Sequence, residues 1–390
     1  MFSWVNSKDK KYILLLVLIF VIIKIAGIFY AESIVKAGKA NAGLLFRDRR
    51  ILDEVYLPEV FKGLGYQWDS IHYVNTSKFW IENFRTAGQL RNFAYLYPLT
   101  IMIVAKVIPG SILSALLISN FFSFLAIIAF YLTARIYFNE EKSLASSFAF
   151  MFYPSFFVSS LTAYAEPMFL FFAVGSWFFF NKDRFAESAV FAALSLSCRT
   201  SGVILILVYL FIYYYRWVKA PEGSRQPMFT GQALWLLIPA VFMIIQIIIT
   251  KYITKITGVR MESFVGFAPS VNGHYLPLLS PVLQVKYLIK ELDRAFDVYM
   301  FLVPAIILAV YSKKINPELT IYCAISVFSV MSISQPEVII GMPRHLLNAW
   351  PLFFTFGEIL ENRYALGAYC SFCFFNCLKL INHYLTVYFI

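Results

Sequence analysis

Apolar runs separated by short polar segments organise the whole chain. The first run covers residues 12–30 and follows a basic cluster of Lys8, Lys10 and Lys11. A run of about 19 residues is long enough for an α-helix to cross the hydrocarbon core of a bilayer, which is about 30 Å thick. The run lacks a small-residue cleavage site, so we predict a retained helix whose amino end faces the cytoplasm.

The same pattern predicts about ten further helices. Several are shorter than the roughly 20 residues that a lipid-exposed span needs, so we expect them to be broken or to pack around a cavity. The prediction is therefore an all-α fold, a polytopic transmembrane helical bundle of about 11 helices that forms one domain over residues 1–390. The further helices are predicted at 111–133, 143–163, 167–180, 185–198, 202–215, 233–250, 296–311, 319–333, 346–360 and 364–387.

Two long polar segments interrupt this pattern. Residues 31–110 predict a first external loop with interfacial helices, and residues 251–295 predict a second large external loop. Within the first loop, residues 93–108 either lie in the membrane interface or cross the bilayer, and this choice orients every later helix. The interfacial alternative puts the basic clusters around Arg135 and Arg216 in the cytoplasm, as the positive-inside rule expects. We therefore predict an interfacial helix and a chain that ends outside.

The composition excludes a soluble globular protein. Hydrophobic residues make up 60% of the chain and charged residues only 14%, whereas charged residues make up about 25% of a typical soluble domain. The net charge of +11 would suggest a nucleic-acid partner in a soluble protein, but here the lysines and arginines lie in short clusters between apolar runs. We predict a membrane protein in contact with lipids and without a nucleic-acid partner.

Metal-binding and nucleotide-binding motifs are not evident. Cys370, Cys373 and Cys377 repeat at helical spacing in the last apolar run, and His383 lies two turns further on. A zinc site would need this fourth ligand nearby, so packed thiols are the better interpretation. The chain contains no Walker loop, dinucleotide-binding glycine motif, zinc-protease motif or serine-hydrolase motif. We predict no cofactor, and any activated substrate has to arrive through the membrane.

Charged and polar residues from five separate connections are predicted at one external face. Such groups are costly near the hydrocarbon boundary and are usually kept for pairing or for function. Their convergence is therefore the main functional signal in the sequence. They are Trp68, Asp69, Glu166, Arg199, Gln335, Glu337, Arg344 and His345.

Asp69 is the strongest candidate for chemistry. It follows Trp68, and His72 lies on the same face if the segment is helical. The Asp69 carboxylate could act as a general base. Alternatively, Asp69 caps an interfacial helix that begins at Ser70, with Trp68 as an interfacial anchor.

Each of the remaining charged candidates has a functional and a structural interpretation. Glu166 either orients a sugar hydroxyl or stabilises the amino terminus of the helix that Pro167 begins. Arg199 lies in a tight turn suited to phosphate, or forms an internal ion pair with Glu166 or Asp69. Arg344 and His345 either bind a phosphate group or extend to lipid head groups, and for Arg344 we favour phosphate.

A series of short motifs resembles the GPI mannosyltransferase II (PIG-V) family and its prokaryotic relatives, within the GT-C class of polytopic glycosyltransferases. The motifs cover about residues 66 to 350, and their order along the chain matches the family. One departure is His345, which stands where tyrosine is usual. The motifs are Trp68-Asp69 with His72, Tyr95-Leu96-Tyr97-Pro98-Leu99, Phe152-Tyr153-Pro154-Ser155, Ala163-Tyr164-Ala165-Glu166, Arg199-Thr200-Ser201-Gly202 and Met342-Pro343-Arg344-His345-Leu346-Leu347.

The resemblance implies a GT-C-like fold and an inverting mannosyltransferase. It implies transfer of mannose from a polyprenyl or dolichyl phosphate mannose donor to a lipid-linked glycan acceptor, which need not be a GPI precursor, on the extracytoplasmic or lumenal face. Asp69 would then be the catalytic base. Because arginines can neutralise a single phosphate, we predict no metal requirement. The substrate-binding residues would be Trp68, His72, Tyr97, Tyr164, Glu166, Arg199, Gln335, Glu337, Arg344 and His345.

The chain is shorter than typical eukaryotic members, which favours a prokaryotic protein of the cell membrane over one of the endoplasmic reticulum. The alternative from another functional class is a transporter or scramblase for lipid-linked sugars or phospholipids. Such a protein would also explain broken helices and external arginines. The helix pattern shows no inverted repeat, which speaks against a transporter. The sequence leaves open whether an accessory subunit is required.

Overall fold

The computed structural model describes residues 6–40, 54, 56–81, 94–221, 234–257, 270–271, 274–275, 306, 310, 316–331, 342–360 and 362–386. Nearly all of this part of the chain is helical, as predicted. The exception is a short antiparallel pair of strands, β1 (Ser270–Val271) and β2 (His274–Tyr275).

Between residues 94 and 221 the described helices follow one another with short connections. Short 3₁₀ turns at Thr200–Gly202, Trp235–Leu237 and Leu346–Leu352 precede three of them. In chain order the α-helices are α1 (Ser7–Lys36), α2 (Glu59–Gly65), α3 (Asp69–Ile81), α4 (Leu96–Val104), α5 (Ser111–Ala134), α6 (Glu140–Met151), α7 (Pro154–Leu161), α8 (Glu166–Phe180), α9 (Phe185–Cys198), α10 (Val203–Lys219), α11 (Ile238–Thr257), α12 (Pro317–Met331), α13 (Met342–His345), α14 (Phe353–Ile359) and α15 (Arg363–Thr386).

Several of these helices fit a membrane protein. Among the described residues, 4 helices are long and apolar enough to cross a bilayer: α1, α5, α15, and α10 together with the 3₁₀ turn before it. A fifth span results if α6 and α7, which meet at 64°, count as one. The predicted count of about 11 spans is not confirmed, because α8, α9 and the apolar part of α11 are shorter.

Two predicted helices are broken, and proline contributes to both breaks. Residues 143–163 were predicted as one helix, but α6 ends at Met151 and α7 begins at Pro154. A proline lacks the N–H of a continuing helix and forces the residue before it into extended backbone, as Tyr153 shows with φ −61° and ψ 123°. In the predicted helix 346–360, Ala349 has non-helical angles and Pro351 follows, so a 3₁₀ turn replaces its first half.

Helix α4 falls within the segment 93–108, which we predicted to lie in the membrane interface rather than to cross the bilayer. At 1.5 Å per residue, its 9 residues extend only about 14 Å, which is too short to cross a bilayer. Helix α4 packs against α3 and α5, and Tyr97 Oη donates to the carbonyl of Ala115 at 3.0 Å. Helix α4 is therefore not long enough to form the span of the other alternative.

The bounds of the two predicted loops also change. Helix α1 continues to Lys36, so the first loop begins later than residue 31. Helix α11 continues to Thr257, into the predicted loop 251–295. Most of that loop and of the predicted helix 296–311 lies outside the described residues.

Ion pairs define one end of the bundle, which we call the Asp9 end. Asp9 at the start of α1 accepts hydrogen bonds from Arg135 Nε (2.8 Å) and Tyr131 Oη (2.6 Å) at the end of α5. Lys142 and Glu358 form a second pair at 2.8 Å. The starts of α1 and α6 therefore lie beside the ends of α5 and α14.

The end of α8 lies at the Asp9 end as well. Trp177 Nε1 near this end of α8 donates to Tyr137 Oη at 3.0 Å, and Tyr137 follows Arg135 directly after α5. Helix α8 has 15 residues, so its first residue, Glu166, lies about 20 Å away along the bundle.

Candidate active site

Asp69 is the first residue of α3 and follows a strained turn. The preceding Trp68 has a positive φ of 55°, a left-handed conformation that costs of order 1–3 kcal/mol for a residue with a side chain. Contacts with the end of α15 hold this turn. Trp68 Nε1 donates to the carbonyl of Tyr384 at 3.2 Å, and the Trp68 ring stacks on the Tyr384 ring at 6.2 Å between centroids.

Tyr384 also fixes the backbone around Asp69. Its hydroxyl donates to the carbonyl of Gln67 at 3.0 Å and lies 2.9 Å from Ser70 Oγ. Residues on both sides of Asp69 are therefore tied to the last helix, and the position of the carboxylate depends on the packing of α3 against α15.

Glu166 is the buried centre of the site. It is the first residue of α8, with Pro167 after it, and only 1% of it is exposed. Its Oε1 accepts a hydrogen bond from Arg199 Nη1, and Arg344 Nε lies 3.1 Å from the same oxygen. One carboxylate therefore contacts two guanidinium groups, while its Oε2 has no hydrogen-bond partner among the described residues.

Arg344 connects Glu166 to Asp69. Its Nη1 lies 2.6 Å from Asp69 Oδ2, and its guanidinium carbon lies 5.3 Å from the centre of the Tyr164 ring. Asp69, Arg344, Glu166 and Arg199 therefore form one continuous chain of contacts, which we call the ion-pair quartet. Four separate segments of the chain contribute it, and its two positive and two negative charges balance.

The arginines set the charge states around the quartet. Burial by itself raises the pKa of the Asp69 carboxyl, but the Arg344 guanidinium outweighs this effect, and the pKa lies below its usual value. Burial, together with the charges of Arg344 and Arg199, lowers the pKa of His345 to about 3. At neutral pH, Asp69 is ionised and His345 is neutral, so His345 can offer a ligand a hydrogen bond but no positive charge.

The structure places the other predicted residues at different distances from the quartet. His72 lies on α3, near enough that its charge affects the pKa of Asp69. Tyr97 lies behind the site, where its hydroxyl is 2.7 Å from Ser119 Oγ, and Ser119 donates to the carbonyl of Tyr164 at 2.7 Å. Tyr97 therefore acts through Ser119 on the backbone of Tyr164. Gln335 and Glu337 lie outside the described residues.

The structure bears on two of the structural alternatives for the charged residues, those for Arg199 and Asp69. The internal ion pair considered for Arg199 is present, with Glu166 as its partner. For Asp69, the structural alternative was a cap of a helix beginning at Ser70. The helix instead begins at Asp69 itself, and the Asp69 carboxylate contacts Arg344. The described part of the chain holds no group of three or more metal-ligating side chains.

Sequence reasoning missed Tyr384, which contacts the turn at Asp69 in several places. It also considered His383 only as a zinc ligand, whereas the His383 ring lies 5.7 Å from the Trp68 ring. The available signal was the predicted position of both residues at the external end of the last helix. That position alone did not connect them with residues more than 300 positions earlier in the chain.

No protein-family model matches the chain, and no curated protein matches it in sequence. The geometry of the ion-pair quartet is therefore the basis on which a function has to be argued.

Proposed function

We propose that the protein is an inverting membrane mannosyltransferase of the GT-C type that resembles the PIG-V family. It transfers mannose from a polyprenyl or dolichyl phosphate mannose donor to a hydroxyl of a lipid-linked glycan. The observation that carries this proposal is the ion-pair quartet, in which a carboxylate suited to general-base catalysis and two arginines suited to phosphate converge at one end of an apolar helical bundle.

The chemistry needs one base and one anion-binding group. Asp69, ionised at neutral pH, takes the proton of the acceptor hydroxyl while that oxygen forms a bond to the anomeric carbon of mannose. The bond between this carbon and the phosphate oxygen breaks, and polyprenyl phosphate leaves with the electron pair. Arg344, supported by Arg199, stabilises the charge that develops on the leaving phosphate.

The remaining predicted residues would bind the substrates. The Tyr164 ring lies beside Arg344, and the partly buried Trp68 directly precedes Asp69 in the chain, so that a sugar ring could stack on either. Glu166 Oε2 is a buried acceptor without a partner among the described residues, and a sugar hydroxyl would satisfy it. His345 would donate a hydrogen bond in its neutral form.

The proposed location is the extracytoplasmic face of the cell membrane of a prokaryote, or the lumenal face of the endoplasmic reticulum in a eukaryote. This proposal rests on the basic residues at the Asp9 end, Lys8, Lys10 and Arg135 among them, which the positive-inside rule would retain in the cytoplasm. The quartet lies at the opposite end, where a lipid-linked donor reaches it from the membrane.

The test is transfer by the purified protein in liposomes that contain labelled polyprenyl phosphate mannose and a lipid extract of the host. We expect labelled mannose to appear on a lipid-linked glycan, and Asp69→Asn to lower the rate by about 10²–10⁴-fold. Glu358→Gln is the matched control, because it breaks the Lys142–Glu358 pair at the Asp9 end and should leave transfer unchanged.

Two results would contradict the proposal. Transfer by Asp69→Asn at the wild-type rate would remove the proposed base. Movement of the labelled donor between leaflets without transfer would favour the transporter or scramblase instead.

A further inference from the structure

The contact between Asp69 and Arg344 is too close for the proposed reaction. The two side chains lie 2.6 Å apart. In inverting glycoside hydrolysis, the two acting groups stand about 6.5–9.5 Å apart, because the anomeric carbon and the attacking molecule lie between them. By the same reasoning, a sugar between the base and the leaving phosphate must separate Asp69 from Arg344. The direct ion pair therefore has to open when the donor binds.

The two carboxylates that contact Arg344 differ in how firmly they are held. The Glu166 side chain is 2% exposed and contacts both Arg199 and Arg344. The Asp69 side chain is 30% exposed and pairs with Arg344. Separating a buried ion pair leaves an uncompensated charge, whereas water can solvate a partly exposed carboxylate that loses its partner. Asp69 is therefore the partner that can be exchanged, and Glu166 is the one that stays.

We propose that Asp69 occupies the anion site of Arg344, and that a single phosphate group displaces it. This inference rests on the proposed function and adds to it a link between donor binding and the base. Glu166 is the positioning residue of this exchange, because it holds the guanidinium in place while the other contact changes.

Charge balance favours the exchange over simple addition of a ligand. The quartet holds two positive and two negative charges, so a phosphate that bound beside an unmoved Asp69 would put three anions around two cations. Release of Asp69 removes one anion from Arg344. Because Arg344 is what lowers the pKa of Asp69, its loss as a partner raises that pKa and makes the carboxylate a better proton acceptor.

The exchange also specifies the ligand chemistry. Displacement of Asp69 frees one nitrogen of Arg344, Nη1, while Nε remains beside Glu166. Asp69 carries one negative charge, so a phosphodiester or another singly charged phosphate replaces it without changing the charge balance of the quartet, whereas a diphosphate would add negative charge. The phosphate can belong to a lipid or be free in solution, and the experiment below separates these sources.

The test measures phosphate affinity without any transfer step. The probes are a prenyl phosphodiester in nanodiscs and dimethyl phosphate in solution, titrated against wild-type protein, Asp69→Asn, Asp69→Ala and Arg344→Gln. If Asp69 competes with phosphate, both Asp69 variants should bind more tightly, with a dissociation constant lower by about 10-fold, within the 5–150-fold range of typical couplings between sites. Arg344→Gln should lose binding.

Asp69→Ala is included because the asparagine amide could itself donate to phosphate. Glu358→Gln is again the matched control, since its pair with Lys142 has a similar distance and exposure. Its affinity should equal that of the wild type.

The outcomes separate this inference from the proposed function. Wild-type binding with equal or weaker binding by both Asp69 variants overturns the exchange and leaves the mannosyltransferase proposal standing. Tighter binding of the prenyl probe supports both. Tighter binding of dimethyl phosphate alone supports the exchange and contradicts a prenyl-linked donor. Absence of binding by every protein in both arms overturns both proposals.

Discussion

Glu166 should be the charged residue of the site whose loss costs the most stability. Glu166→Gln keeps the size of the side chain and removes its negative charge. Arg199 and Arg344 would then lose the carboxylate that they share, and their side chains are only 12% and 24% exposed. Removal of one member of a buried ion pair typically costs about 3–5 kcal/mol, because the charge that remains is poorly solvated.

The expected loss of stability in Glu166→Gln can be narrowed from the exposure of Arg199 and Arg344. Arg344 keeps its contact with Asp69 and reaches some water, so most of the cost comes from Arg199. We expect a loss of about 3 kcal/mol, the lower end of that range. Glu358→Gln breaks the Lys142–Glu358 pair, whose side chains are 26% and 25% exposed, and should cost about 0–1 kcal/mol. The Glu→Gln substitution is thus compared at a buried position, 166, and at a more exposed position, 358.

The measurement is denaturant unfolding of the purified proteins in one detergent, with the shift in midpoint converted to free energy through the denaturant dependence of the wild type. A double variant, Glu166→Gln with Arg199→Gln, should recover part of the loss, because the second change removes the uncompensated charge. Equal losses below about 1 kcal/mol for Glu166→Gln and Glu358→Gln would refute the reasoning, since they would show that water solvates Glu166 as well as Glu358.

Two further predictions concern protonation and topology. Because the pKa of Asp69 is lowered below 3.8 in the free protein, kcat/KM should not fall with decreasing pH until the pH drops below about 4; an acid limb above pH 5 in kcat/KM would contradict the assignment of Asp69 as the base. A cysteine at Glu141, at the Asp9 end, should react only with reagents that enter the cytoplasm, and one at Lys39 should react from outside, in protein whose 5 native cysteines are replaced. Labelling of the Glu141 position from outside would reverse the proposed orientation.

The helical fold could be predicted because it depends on local patterns. Long apolar runs predicted α1, α5 and α15 to within a few residues, except for the longer ends of α1. In a bilayer the backbone has to satisfy its own hydrogen bonds, so an apolar run of that length has few alternatives to a helix. Pro154 interrupts an apolar run, and the break in the helix at this point follows from the local effect of proline. The angle of 64° between α6 and α7 depends on tertiary packing, which no local pattern contains.

The geometry of the site depends on contacts between distant segments, and the sequence predicted it only in outline. The residue types and the shared face of Asp69, Glu166, Arg199 and Arg344 were predicted, but which carboxylate pairs with which arginine was not. The strained turn at Trp68 is held by contacts with Tyr384, which lies at the end of the last helix. Neither residue predicts the other, since a positive φ at tryptophan has no signal in the sequence.

The members of the quartet can meet only if they lie on the same side of the bilayer. The chain between any two of them must then cross the bilayer an even number of times. The described helices between Asp69 and Glu166 are α3, α4, α5 and the bent pair α6–α7, and α3, with 13 residues, is like α4 too short to cross a bilayer. If α4 crossed the bilayer, three crossings would put the two carboxylates on opposite sides, about 30 Å apart. If α5 and the bent pair each cross the bilayer and α4 does not, the chain returns to its starting side, which fits the contacts of Arg344 with both Asp69 and Glu166. The nine residues of α4 extend only about 14 Å, and a variant in which α4 is lengthened to a full span should lose the Asp69–Arg344 contact altogether.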